Sequence, residues 1–405
     1  MKNLMIAQSG GPTVAINSTL AGIVERALTG GEIPHVYGAR FGIKGLLNDD
    51  VIEIGGMLSD PDALKRLIHT PSSALGSCRV KLGGPDTAAR EYETILRTLE
   101  KYDIGYFIYI GGNDSMDTVA KLSDYIKDKG IQGLSIMGAP KTIDNDLCGM
   151  DHSPGFGSAA KYIATTFTEL WCDCGVYDIP AVTIVEVMGR HVGWLTASAA
   201  LANTGEEGAP QLIYLPEIAF EKEKFIADVR RELARNPAVL IAVSEGIHYA
   251  DGTFVSEGEN TVTDVFGHKY LSGAARVLED MVRTEIGCKA RSIDLSLMQR
   301  CAGHLAASND LTEAKLLGAT ALDRALKGES GKVSVITRIS DSPYRVKYET
   351  VCAKEIANKE KAIPREWINA EGNFITEEMY TYLRPLVHGH FGNHSGDNSL
   401  PRHYH

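Results

Sequence analysis

Short apolar runs, often β-branched, alternate along this chain with stretches in which apolar positions recur every three or four residues. Residues 4–7 read as a first strand and 8–13 as a turn; Ile16, Leu20, Ile23 and Ala27 then share one helical face. Residues 106–110, the turn Gly111-Gly112-Asn113-Asp114-Ser115 and the face Met116, Val119, Ser123 and Ile126 repeat the order strand, glycine turn, helix. A third unit runs from strand 134–137 through the polar loop 141–146 into a helix carrying Ile163, Phe167 and Leu170, and a fourth opens with 181–187 and ends in Met188-Gly189-Arg190. Strand 212–215, a helix over 225–235 stopped before Pro237 and strand 238–243 complete a second series. Helices near 269–284 and 313–327 and a strand over 333–338 close the pattern, and 251–267 read as a polar surface excursion. The alternation predicts an α/β fold of parallel strands joined by helical crossovers.

Beyond Arg338 the rhythm weakens, and from about residue 387 the chain is poor in aliphatics and rich in irregularly spaced histidines, so a frayed tail is expected there. With 405 residues the chain has room for two to three domains or one large α/β unit with extensions. No apolar run is long enough for a membrane span. Basic residues number 41 against 52 acidic ones, and the net charge of −11 argues against nucleic-acid or anionic-lipid partners. Seven scattered cysteines fit reduced thiols in a cytoplasmic setting, and Cys172-Asp173-Cys174, closing an apolar helix, reads as structural.

Open parallel sheets bind ligands at the carboxyl ends of their strands, and here four consecutive strand ends carry glycines or carboxylates. Ser9-Gly10-Gly11-Pro12 precedes a helix N-terminus, where unpaired backbone N–H groups favour an anion; alone it reads equally as a tight turn. In the second glycine turn, Asp114 fits either a helix cap or a phosphate site whose side chains position Mg2+. In Thr142-Ile143-Asp144-Asn145-Asp146 the two carboxylates would point the same way if the segment is extended, suiting a general base with a charge or metal partner.

The segments SGGP, GGNDS, PKTIDND and MGR, in this order, resemble the phosphofructokinase family, and the resemblance extends to Ser244-Glu245-Gly246 and to Leu297-Met298-Gln299-Arg300. It implies a two-domain αβα enzyme of Rossmann-like halves with the active site in a cleft, transferring a phosphoryl group to the 1-hydroxyl of fructose 6-phosphate. By motif, it implies donor phosphates at Gly11, Arg79, Gly112, Asp114 and Lys141. Asp144 would be the proton acceptor, with Asp146 supporting the metal or the transferring group. Thr142, Ile143, Met188, Gly189, Arg190 and Glu245 would border the sugar, Arg190 at its reacting end, and Arg300 and Arg291 would hold its 6-phosphate. Donor residues are expected in 1–155 with part of 299–338, sugar residues in 156–298, and a C-terminal extension in 339–405.

Three positions depart from the family pattern. Asn113 stands where a magnesium-associated Asp is usual, so restoring the carboxylate is expected to lower the Mg2+ needed. Ala181 replaces an arginine that ATP-using members present to a neighbouring subunit, and Leu297 replaces a His or Tyr, which keeps a longer acceptor such as sedoheptulose 7-phosphate in view. Asp114, with Lys141, points to pyrophosphate as donor, because ATP-using relatives generally have glycine at both positions. The resulting expectation is a reversible, Mg2+-dependent, pyrophosphate-using homodimer or homotetramer. The alternatives are the ATP-dependent enzyme and a regulatory subunit of the same fold.

Overall fold

The computed structural model describes residues 1–176, 178–203, 208–257 and 273–388. Two units divide the chain, Met1–Ser158 with Arg300–Glu360, and Ala159–Gln299 with the chain from Lys361 onward.

The first unit is built on seven strands: β1 (Asn3–Gln8), β2 (Val36–Ala39), β3 (Val51–Glu53), β4 (Ile104–Gly111), β5 (Ser135–Pro140), β10 (Lys332–Asp341) and β11 (Tyr344–Cys352), in the spatial order β11-β10-β5-β4-β1-β2-β3. The interior pairs are parallel and both edge strands run antiparallel. Alternate residues of β1 and β4 feed two separate cores: Met5, Ala7, Phe107 and Tyr109 pack on one face, and Leu4, Ile6, Ile108 and Ile110 on the other. A parallel strand covered on both faces must be apolar throughout, which is why these segments read as continuous apolar runs. Each of the Leu, Ile, Met and Phe side chains contributes about 1.5–3 kcal/mol on burial.

The second unit carries β6 (Ala181–Val187), β7 (Leu212–Tyr214), β8 (Ala238–Ser244) and β9 (Lys289–Asp294) in the all-parallel order β7-β8-β6-β9. Helices Lys222–Leu233 and Ala274–Glu285 bury Phe225, Val229, Leu278 and Val282 against Ile184, Ile241 and Val243. Helix Phe156–Cys174 ends on the Cys172-Asp173-Cys174 triplet, and the Cys174 thiol donates to Thr183 Oγ1 at 3.3 Å. All seven cysteines are free.

Among the described residues, 339–388 do not form a separate extension. The period-2 segment Tyr344–Cys352 pairs antiparallel with β10 and completes the first sheet, while residues from Lys361 on belong to the second unit. There Trp194, Trp367 and Tyr382 form an aromatic cluster, with ring centroids 5.2–6.0 Å apart. The histidine-rich tail beyond residue 388 and most of the polar excursion lie outside the described residues. No helix among the described residues is long and apolar enough to cross a membrane.

Candidate active site

Strands β5, β4 and β1 are neighbours, so the loops after Pro140, Gly111 and Gln8 share one sheet edge. Hydrogen bonds weld them: Ser9 N–H donates to Ile110 C=O at 2.9 Å, Lys141 N–H to Gly111 C=O at 3.0 Å, and the side-chain hydroxyls of Ser9 and Ser115 meet at 2.5 Å. Thr13 Oγ1 accepts the N–H groups of Ala15 and Ile16 at the entry to the helix that follows. Gly10 has φ +76°, and a Cβ there would lie 2.8 Å from Lys141 Nζ; a Cβ on Gly11 would meet Arg300 Nη1 at 3.3 Å. Two glycines thus leave room for an anion beside two cations.

Lys141 is 2% exposed, so it is no solvated surface lysine. Burial lowers its ammonium to a pKa of about 8; Asp144 and Asp146 oppose that shift, and Arg300 and Arg79 add to it. Asp144 is pushed above the ordinary carboxylate value by burial. The Thr142 hydroxyl and the charges of Lys141 and Arg300 pull it back, and the charge of Glu360 adds to the rise. Thr142 Oγ1 donates to Asp144 Oδ2 at 3.3 Å and accepts the Asp144 N–H at 3.1 Å. The segment 142–146 is not extended, because Asn145 is left-handed at φ +58°. The side chain of Asn145 instead accepts the Ser153 N–H at 2.9 Å, so the loop is folded and the extended geometry expected for Asp144 and Asp146 does not apply.

Asp114 is not the helix cap. Gly112 occupies the cap position, and Asp114, in the first turn, is exposed and pairs with Lys81 at 3.3 Å. Lys81 carried no signal of its own in the sequence beyond its nearness to Arg79. Asn113 spends both ends of its amide on main chain: Oδ1 accepts the Asn358 N–H and Nδ2 donates to Lys359 C=O. Both ends of the amide that its motif position associates with magnesium are thus engaged by main chain. Among the described residues no group of three or more His, Cys, Asp or Glu side chains is arranged to hold a metal.

In the second unit, the MGR loop follows β6 and the Glu245 loop follows the adjacent β8. Gly189 N–H donates to Glu245 Oε1 at 3.2 Å, Ser244 Oγ donates to Gly189 C=O, and Met188 N–H donates to Gln299 Oε1 at 3.2 Å. A Cβ at Gly246 would sit 1.8 Å from Arg190 C=O, so a glycine is required for this contact. Glu217 Oε1 accepts the N–H groups of Gly193 and Ile363, pinning the far end of the same loop. Arg291 is exposed on β9, 3.9 Å from Asp173, and Leu297 is 54% exposed. Arg300 and Arg291, expected as a pair, fall in different units. Arg300 is grouped with Gly11, Arg79, Lys141 and Asp144.

Residues 3–324 match the sequence profile of the family described as Phosphofructokinase. The chain is 40% identical to the pyrophosphate–fructose 6-phosphate 1-phosphotransferase of Halomonas elongata over 390 residues, covering 96% of this chain and 92% of that protein. It is also 40% identical to the enzyme of that name from Xanthomonas campestris pv. campestris over 402 residues, covering 99% and 95%. The crystal structure of a pyrophosphate-dependent phosphofructokinase from Nitrosospira multiformis is similar at a TM-score of 0.87 and 36% identity, covering 99% of this chain and 96% of that one.

Proposed function

We propose, from the premise that this chain belongs to the phosphofructokinase family, that it transfers a phosphoryl group from pyrophosphate to the 1-hydroxyl of fructose 6-phosphate, reversibly. The observation that carries the reading is the buried Lys141 ammonium above Gly10, beside the Asp144 carboxylate whose proton affinity is raised. A desolvated cation at a glycine turn suits a compact anion with no nucleoside, and a carboxylate of raised pKa suits a general base.

In the forward direction Asp144 accepts the proton of the sugar 1-hydroxyl as its oxygen bonds to phosphorus. The bond from phosphorus to the bridging oxygen breaks, and inorganic phosphate departs against Lys141. Arg300, beside Gly11, neutralises charge on the group in transit, and Arg79 and the backbone of Gly11 and Gly112 hold the remaining donor oxygens. Such a reaction asks mainly for positioning and for neutralisation of oxygen charge. The sugar phosphate is assigned to Thr142, Ile143, Met188, Gly189, Arg190, Glu245 and Arg291.

The donor set fits magnesium arriving with its substrate. Magnesium is generally held by one or two carboxylates plus substrate phosphates and keeps several waters. Asp146 would hold it, and when bound it supplies charge neutralisation on the donor. We assign the working form to a cytoplasmic homo-oligomer, for which sedimentation gives the mass.

The reading is tested from both directions. Fructose 6-phosphate with pyrophosphate should yield fructose 1,6-bisphosphate and phosphate, and the bisphosphate with phosphate should regenerate pyrophosphate. Offering sedoheptulose 7-phosphate in the same assay ranks the acceptors. Failure of turnover in both directions with every acceptor would refute the reading.

A further inference from the structure

The segment 358–360 is bound to the start of helix Asn113–Asp128 by three hydrogen bonds. Asn113 Oδ1 accepts the Asn358 N–H at 2.5 Å, and Asn113 Nδ2 donates to Lys359 C=O at 2.8 Å. One turn further along the helix, Asp117 Oδ1 accepts from Asn358 Nδ2 at 3.0 Å, while Asp117 Oδ2 is held by Lys121 at 2.7 Å. Asn358 adopts φ +59°, a conformation that Asn tolerates better than most residues, and this presents its N–H to Asn113. Glu360 then forms an isolated antiparallel bridge with Leu147, directly after the 142–146 loop. The preceding turn of helix, Ala353–Ile356, is anchored by Ala353 and Ile356 in the core beneath the sheet. A single short segment therefore ties the first turn after Gly112 to the end of the loop that carries Asp144.

We propose that Asn113 is a positioning residue for the phosphoryl donor: through the segment 358–360 it fixes the turn that presents Gly112 and Asp114. The proposal rests on the assignment of those two residues to the donor. Its chemistry explains why an amide stands here. The partner is a peptide offering one N–H and one C=O, and only a group with both an acceptor and a donor satisfies both. A carboxylate would keep the bond to Asn358 but turn its second oxygen on Lys359 C=O. The segment also brings Glu360 close enough for its charge to favour the protonated form of Asp144.

The test uses the full chain, with bisphosphate formation followed at varied pyrophosphate and then at varied Mg2+. Asn113→Ala and Asn113→Asp should each raise KM for pyrophosphate about threefold to tenfold, the worth of one or two net hydrogen bonds. Their kcat and KM for fructose 6-phosphate should stay within about twofold, as expected when uniform donor binding is lost. Half-saturating Mg2+ should not fall in Asn113→Asp. Asn358→Gly, which accepts the left-handed backbone and removes only the bond to Asp117, should raise the same KM by a smaller factor. Combined with Asn113→Ala it should add less than its separate effect, since both act through one segment. The glycine variant also serves as the second probe if an Asn113 variant folds poorly.

A lower half-saturating Mg2+ in Asn113→Asp, an unchanged KM for pyrophosphate in Asn113→Ala, or fully additive effects would overturn the proposal. Wild-type protein inactive with pyrophosphate would instead refute the donor assignment itself, a result visible before any variant is made.

Discussion

Lys141 Nζ lies 2.8 Å from the point where Gly10 would carry a Cβ, so the glycine and the buried ammonium define one anion cradle. Gly10→Ala would place a methyl group there and force an L-residue to φ +76°, costing about 1–2 kcal/mol in backbone alone. The expected outcome is a fall in kcat/KM for pyrophosphate of at least about tenfold, with KM for fructose 6-phosphate little changed. Steady-state kinetics with each substrate varied in turn checks it.

Lys141 itself should set an alkaline limit. Its pKa is lowered to about 8 by burial, so the free enzyme loses this proton as pH rises through that value. The profile of kcat/KM for pyrophosphate, which reports free-enzyme groups, is expected to decline above about pH 8. Lys141→Met should flatten that limb and lower kcat/KM by about tenfold to a hundredfold, the worth of a charged hydrogen bond. An alkaline limb that persists unchanged in the methionine variant would remove Lys141 as its source.

Asp144→Asn keeps size and hydrogen bonding but cannot take a proton. Its kcat should fall by about 10²–10⁴, the usual worth of a general base, with KM for fructose 6-phosphate nearly unchanged. Single-turnover measurements separate this loss from slow product release.

A buried histidine lies a few residues beyond the Asp144 loop. His152, 2% exposed, meets Asp151 through Nδ1 and Glu313 through Nε2, both at 2.7 Å. Arg338 also binds Asp151, and Tyr344 donates to Glu313 at 2.7 Å. Burial works to lower its pKa, but the bonds to the two carboxylates outweigh burial and raise it from 6.5 to about 9. A histidine whose folded pKa lies above its unfolded value contributes stability that is complete below about pH 6.5 and is lost as pH rises through about 9. Denaturant midpoints between pH 6 and 10 should therefore fall more steeply for wild type than for His152→Gln. Equal slopes would show that the imidazolium does not contribute.

The parallel core was readable because buried strands leave an uninterrupted apolar run. Ala181–Val187 emerges with the same limits in the structure, and helix Phe156–Cys174 was marked by Ile163, Phe167 and its terminal cysteines. Shorter or half-exposed elements leave a weaker trace: β2 has four residues, and helix Pro85–Lys101 interrupts its apolar positions with seven charged residues despite its Pro at the first position. The alternation in Tyr344–Cys352 is that of an antiparallel hairpin, which the parallel strand–helix rhythm of the rest of the chain does not announce. The motifs mark the strand ends at which Gly11, Lys141 and Asp144 gather in the first unit, but no local pattern could say that Asn113 binds a peptide 245 residues further on. Nor could it reveal that Asn145 turns left-handed and folds the Asp144 loop, or that Lys81 lies against Asp114. Those contacts are set by sheet order and by the return of the chain, which one-dimensional spacing does not encode.

Donor choice is the centre of this account, and Asp114 is its most exposed element. Its carboxylate, paired with Lys81 at 3.3 Å, stands in the first helical turn, where we place the nearest obstacle to the longer phosphate chain of ATP. The direct measurement is kcat/KM for pyrophosphate and for ATP with fructose 6-phosphate, on wild type and Asp114→Gly in parallel. Wild type should favour pyrophosphate by at least about a hundredfold, and Asp114→Gly should raise the value for ATP while leaving that for pyrophosphate equal or lower. Equal or better use of ATP by the wild type, or an unchanged donor ratio in Asp114→Gly, would contradict it.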